Sequence, residues 1–166
     1  NNGKITLTEN DYGIYGKTID ITNNGLIEVK KNGAGIYAED ANITTKDDLI
    51  KVSGENSVGL YINGADNAVY ERVLTLNHGT TNMSITGEEG IGIFGKDGAR
   101  VNILGQIVLG DSNIALPSGD MRRKTGVYLE NTKRANEIGT TGRITVGKDN
   151  IGVYLNNSNL KNSGTV

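Results

Sequence analysis

Apolar and polar residues alternate in short runs along the whole chain, and the runs fall into phrases that return in the same order. The first phrase is an alternating apolar pair, usually behind glycine: Ile5-Thr6-Leu7, Ile27-Glu28-Val29, Ile50-Lys51-Val52, Met83-Ser84-Ile85, Ile107-Val108-Leu109 and Ile144-Thr145-Val146. The second is glycine, an aliphatic residue and an aromatic one: Gly13-Ile14-Tyr15, Gly35-Ile36-Tyr37, Gly59-Leu60-Tyr61, Gly92-Ile93-Phe94, Gly126-Val127-Tyr128 and Gly152-Val153-Tyr154. A weaker third phrase follows at Ile19-Asp20-Ile21, Ala41-Asn42-Ile43, Leu74-Thr75-Leu76 and Val101-Asn102-Ile103, with Ile138 and Leu160 in the corresponding places further on. Period two means strands, not helices. Asn, Asp and Gly clusters such as Asn23-Asn24-Gly25 and Asn32-Gly33 mark the turns between them.

Gly13 to Gly35 is 22 residues and Gly35 to Gly59 is 24. Three short strands returning in register at that period predict an all-β, single-stranded parallel β-helix. The expectation is about six to seven coils of 22–24 residues, forming one segment over 1–166. Each coil rises by about one strand spacing, ~4.8 Å. Precedent for parallel crossovers favours right-handed winding. Gly164-Thr165-Val166 reads as the start of a seventh coil.

Strict alternation would put the residue before the glycine, the residue after it and the one two further on in the core. Glycine and aromatic would then both face outward. On that reading Tyr15, Tyr37, Tyr61, Phe94, Tyr128 and Tyr154 form an outward ladder, one ring per coil. The ladder reads either as structural stacking or as a platform for sugar rings or a partner's apolar groups. A third reading is a kink at the glycine that swings the ring inward.

Two interruptions stand out, because a solenoid accommodates insertions only as surface loops. One lies near 63–82 and holds Tyr70 and His78; Asp66 could cap a helical turn over Ala68–Val73. The other lies near 112–124 and carries Pro117 and the run Arg122-Arg123-Lys124. A smaller expansion at Asn131–Thr141 holds Lys133-Arg134. A basic triplet is ordinarily a solvated loop. As a binding feature it would suit an acidic glycan or a carboxylate-bearing partner. Arg122, Arg123, Lys124, Tyr70 and His78 are therefore the candidate partner-binding residues.

Composition narrows the function classes. Only 36% of residues are hydrophobic and 5% aromatic, which fits a thin core drawn out along a rod better than a compact enzyme. A net charge of −2 gives no footprint for nucleic acid. With no Cys and a single His, cysteine or histidine zinc sites are not expected, and no metal or cofactor is. Enzymatic β-helices need converging carboxylates or Asp-held calcium. Here Asp47-Asp48 are adjacent and so face opposite ways on a strand, while Asp66, Asp97, Asp111 and Asp120 share no spacing. The expectation is a protein that is not an enzyme.

The stretches NNGLIEVKKNGAGIYAED, SGENSVGLYING, GEEGIGIFG and GKDNIGVYLNNS resemble the passenger repeats of large fusobacterial autotransporter adhesins of the RadD-like group. The resemblance covers the chain apart from its two large inserts. It implies a secreted β-helical stalk at the cell surface, exported through a C-terminal outer-membrane barrel that lies outside this sequence. The implied partner is a host or bacterial surface protein or glycan. On this reading 1–166 is excised from a longer passenger without native caps, and open coil ends favour end-to-end self-association. A pure spacer role and, further off, a polysaccharide lyase or hydrolase are the alternatives.

Overall fold

The structure, a computed structural model, describes residues 1–45, 50–64, 73–76, 81–132 and 135–166, with 73–76 and 81–82 described by their backbone alone. All the regular elements among the described residues are β-strands. The first coil contains β1 (Ile5–Thr6), β2 (Tyr12–Lys17) and β3 (Ile21–Asn23), the second β4 (Ile27–Val29), β5 (Ala34–Glu39) and β6 (Ile43–Thr45). The third contains β7 (Ile50–Val52), β8 (Val58–Asn63) and β9 (Val73–Leu76), the fourth β10 (Thr81–Ile85), β11 (Ile91–Lys96) and β12 (Arg100–Ile103). The fifth contains β13 (Gln106–Leu109), β14 (Thr125–Glu130) and β15 (Glu137–Ile138), the sixth β16 (Arg143–Thr145), β17 (Ile151–Asn156) and β18 (Lys161–Asn162).

Each coil gives one strand to each of three six-stranded sheets. Sheet I stacks β1, β4, β7, β10, β13 and β16; sheet II stacks β2 through β17; sheet III stacks β3 through β18. Every strand pairs in parallel with its counterpart one coil away. This is the parallel β-helix that the repeat predicts. A further parallel bridge joins Arg143 to Thr165, where the seventh repeat begins.

Like residues stack on like. Ile27 pairs with Ile50 and Val29 with Val52 on sheet I, and Ile36 pairs with Leu60 on sheet II. These aliphatics are fully buried and form one continuous core with Ile43, Ile85, Ile103, Val127 and Ile144. Burying such a side chain contributes roughly 1.5–3 kcal/mol. A core one aliphatic layer thick therefore holds a chain this poor in apolar residues.

The corners are built by left-handed residues. Asn10, Asn32, Asn56, Glu89 and Asp149 hold positive φ between sheets I and II, and Thr18, Asp40, Asp97, Asn131 and Asn157 do so between sheets II and III. Asn and Asp tolerate this region best among residues with a side chain. Their amides also link the coils: Asn32 Nδ2 donates to Asn10 Oδ1 at 3.1 Å and Asn157 Nδ2 to Asn131 Oδ1 at 2.8 Å.

Three details depart from the sequence reading. In the first two coils the third strand begins at Ile21 and Ile43, two residues beyond the start of its phrase, and Ile19 lies outside the strand, exposed. Val73 opens a strand, not the end of a helical turn, and the rest of the proposed turn lies outside the described residues. The third concerns the glycine. Gly35 and Ile36 are both buried in succession, so alternation is interrupted there. A Cβ on Gly35 would lie 2.6 Å from the Gly59 carbonyl oxygen and 3.0 Å from Val29 Cγ2. The glycine faces inward, where only a missing side chain lets sheet II approach the sheet I aliphatics. In the first coil the residue before the glycine turns outward, Tyr12 being 62% exposed with its ring 5.2 Å from that of Tyr37, while Ala34 in the same place of the second coil is buried.

Candidate functional site

The 112–124 insert is a small hairpin at the corner between sheets I and II of the fifth coil. Ala115 and Met121 form an antiparallel bridge, Arg122 N donates to Ile114 O, and Gly119 N donates to Leu116 O. Gly119, at φ +89°, closes the tip beside Pro117. Ile114, Ala115, Pro117, Ser118, Asp120 and Arg123 are exposed.

Its base is a polar network inside the corner. Lys124 is fully buried, with Nζ 3.0 Å from Glu88 Oε1, 2.9 Å from Asp111 O and 3.3 Å from Ser112 Oγ. Ser112 Oγ also meets Arg122 O and Asn150 Oδ1, and Asn150 Oδ1 accepts from Lys124 N at 2.8 Å. Arg122 Nη1 reaches Glu55 Oε1 at 2.6 Å, and its Nε lies 4.0 Å from Glu89 Oε1. The hairpin is thereby tied to the third, fourth and sixth coils.

The basic triplet therefore divides into three roles. Lys124 is withdrawn from any partner, because burial of an ammonium group needs the acceptors that surround it. That corrects its assignment as a binding residue. Arg122 is half-buried and engaged with Glu55; Arg123 alone of the three is exposed. Tyr70 and His78 lie outside the described residues.

Sequence reasoning missed Glu88, Ser112 and Asn150 as parts of one network, though the repeat held a signal for Lys124. Two residues ahead of the phrase glycine, Gly33, Ser57, Gly90 and Asn150 are buried or half-buried in the second, third, fourth and sixth coils, while Asp11 in the first coil is exposed. Lys124 occupies that inward slot. Sequence reasoning also passed over Asn136, which anchors the smaller expansion: its Oδ1 accepts from Val101 N at 2.9 Å and its Nδ2 donates to Asn159 O at 2.9 Å.

The second feature is the outer wall of sheet II. Tyr15, Tyr37, Tyr61, Phe94, Tyr128 and Tyr154 stack in chain order with ring centroids 4.6–5.6 Å apart. Tyr37 and Tyr61 are close to parallel, at 11°. Tyr15, Tyr37 and Tyr61, and Tyr128 with Tyr154, are stacked, while Phe94 is tilted by 45° and 34° against its neighbours. Rings this close shield each other's faces and turn mainly their edges to solvent. A sugar ring packs on an aromatic face, and only the ends of the column leave one open.

Beside the rings runs a column of longer polar side chains. Lys17 Nζ pairs with Glu39 Oε2 at 3.0 Å, and Tyr128 Oη donates to Glu130 Oε2 at 3.2 Å. The Lys17 hydrogen bond holds the Glu39 carboxyl below its ordinary range, and burial raises the Tyr37 hydroxyl above its own. An open hollow of about 370 Å³ lies between Arg100, Glu137 and Lys161 at the far corner of sheet II. Its charges are engaged locally, with Lys161 3.1 Å from Glu137 and Arg100 Nε donating to Ala135 O at 3.2 Å.

Among the described residues no group of three His, Cys, Asp or Glu side chains is placed to hold a metal ion. No helix among them is long and apolar enough to cross a membrane. No protein-family model, characterised protein or solved structure matches this chain.

Proposed function

We propose that this chain is a non-catalytic segment of a bacterial surface autotransporter adhesin, a β-helical stalk that carries an anchored hairpin outward for contact with a protein or glycan on another cell. The observation that carries the reading is the construction of the 112–124 hairpin. Its base is fixed by a buried ion pair and by Arg122 to Glu55, while Ile114, Pro117 and Arg123 at its surface are exposed. A loop that only bridged two strands would not need such a base. The neighbouring coils turn the same corner within Thr86–Gly90 and Val146–Asn150.

The test keeps the base and removes what it carries. In the intact parent, residues 113–121 are replaced by a short Asn-Gly turn and Arg123 by Ala, with Ser112, Arg122 and Lys124 retained, and surface display and adherence are measured. Loss of adherence with normal display is the expected result. Unchanged adherence would leave the segment a spacer. Arg123→Ala probes the tip more cleanly than substitution of the whole triplet, because Arg122 and Lys124 support the fold.

A further inference from the structure

The outer faces of the three sheets differ. Sheet I presents Thr6, Glu28, Lys51, Ser84, Val108 and Thr145, and sheet III presents Thr22, Thr44, Asn102 and Glu137, so both are polar apart from Val108. Sheet II presents the ring column, and on one side of it the half-buried Val58, Ile91 and Ile151. On the other side the strand registers align Lys17, Glu39, Asn63, Lys96, Glu130 and Asn156 as a single column. From the first coil to the sixth the order is Lys, Glu, Asn, Lys, Glu, Asn: base, acid, amide, repeated twice.

That order is self-complementary in only some registers. Two copies packed face to face about a two-fold axis along the strand direction run antiparallel, and each column meets itself reversed. With the axis through the third coil, Lys17 faces the second copy's Glu130, Glu39 faces its Lys96, and Asn63 faces Asn63. Shifting by one coil toward full overlap sets Glu39 against Glu130; one coil the other way sets Lys17 against Lys96. Like charges placed opposite one another oppose association, so the column selects its register as well as its partner. In the favoured register Tyr15 lies over Tyr128, Tyr37 over Phe94 and Tyr61 over Tyr61.

We infer that the outer wall of sheet II is a docking surface for a second copy of this chain, antiparallel and centred on the third coil. The inference is independent of the proposed adhesive function and of the 112–124 hairpin. Five overlapping coils at ~4.8 Å and strands of six residues at ~3.3 Å give a face on the order of 500 Å² per copy. That is below the ~800 Å² per partner of a standard stable interface, so the pairing is weak and concentration-dependent.

Sedimentation equilibrium of the purified chain from about 10 μM to 1 mM tests it, together with cross-linking and charge exchange. The mass should rise from 17.6 kDa toward twice that value. The chain has no cysteine, so Asn63→Cys and Asn156→Cys each give one addressable thiol. A short bismaleimide should link Asn63→Cys chains to each other and leave Asn156→Cys, in the overhanging sixth coil, unlinked. Glu39→Lys and Lys96→Glu should each weaken dimerisation at least tenfold, and the double exchange should restore it, with circular dichroism confirming that each variant is folded. A mass fixed at the monomer value overturns the inference. So does equal linking at both positions, or a dimer that ignores the charge exchanges, which would place the contact at the coil ends.

Discussion

Lys124 Nζ and Glu88 Oε1 sit 3.0 Å apart in a corner that leaves the lysine no solvent exposure. The two residues belong to different coils, 36 positions apart in sequence, so their pairing ties the hairpin base to the coil before it. Removing one member of a buried pair leaves the other charge uncompensated, at a cost of about 3–5 kcal/mol. Lys124→Met and Glu88→Gln should each lower stability by roughly 3 kcal/mol in urea titration. Replacing both with apolar residues of similar size should restore most of the loss. A double-variant loss equal to the sum of the two single losses would mean that the pair is not coupled.

The inward glycines make an opposite prediction from the one alternation implies. An outward glycine would accept alanine freely. At Gly92 a Cβ would lie 2.6 Å from the Gly126 carbonyl oxygen and 2.7 Å from Ile85 Cδ1. Gly92→Ala should therefore cost about 2–3 kcal/mol through displacement of the next coil. Gly119 at the hairpin tip meets nothing within 4 Å but holds φ at +89°, so Gly119→Ala should cost only about 1 kcal/mol. Thermal melts of the two variants separate crowding from backbone strain.

The coils were legible in the sequence because three independent period-two phrases return in order, and the strand registers of sheets I and II follow them residue for residue. On sheet III the register slips by two against the phrase, so that Ile43 pairs with Leu74. The ring column was legible for the same reason. The inward glycines were not, because strict alternation assumes a straight strand, and sheet II carries two consecutive inward residues where it bends toward sheet I. Lys124 was hidden by composition: after Arg122 and Arg123 it reads as the third member of a solvated run. Its position two residues before Gly126 was the contrary signal, since that slot is buried or half-buried in every coil after the first. The partners of Lys124 come from the fourth coil and from the start of the same insert, and no local pattern joins them.

The charged column should show its links in titration. Glu39 is held below the ordinary carboxylate range first by the Lys17 hydrogen bond, and Glu28 and Glu137 likewise by Lys4 and Lys161. A depressed folded value means that the folded chain keeps these carboxylates ionised after the unfolded chain has begun to protonate. Their contribution is therefore complete above the unfolded carboxylate range and is lost as pH falls through the lower folded values. Side-chain carboxyl NMR should give midpoints for all three below those of free glutamate, and Lys17→Gln should return only Glu39 toward the ordinary range. Because all three groups are exposed, the effect on stability should be small and should weaken with added salt.

Thr45 offers a substitution that should improve the protein. Its side chain is fully buried on the inner face of sheet III, in backbone register with Asn23 and Leu76, and its Oγ1 has no hydrogen-bond partner among the described residues. Asn23, one coil below, resolves the same problem by donating Nδ2 to Gly25 O at 2.9 Å. A buried hydroxyl left unpaired costs about 1–3 kcal/mol, and valine has nearly the shape of threonine with a methyl in place of the hydroxyl. Thr45→Val should then raise the midpoint of urea unfolding by an amount equivalent to about 1 kcal/mol, with the slope unchanged. The β-branched replacement also suits a strand. Thr44→Val, one residue away on the outer face, should leave stability within about 0.5 kcal/mol, because its hydroxyl remains in reach of water. If the two variants behave alike, the gain comes from strand preference and not from removal of the unpaired hydroxyl.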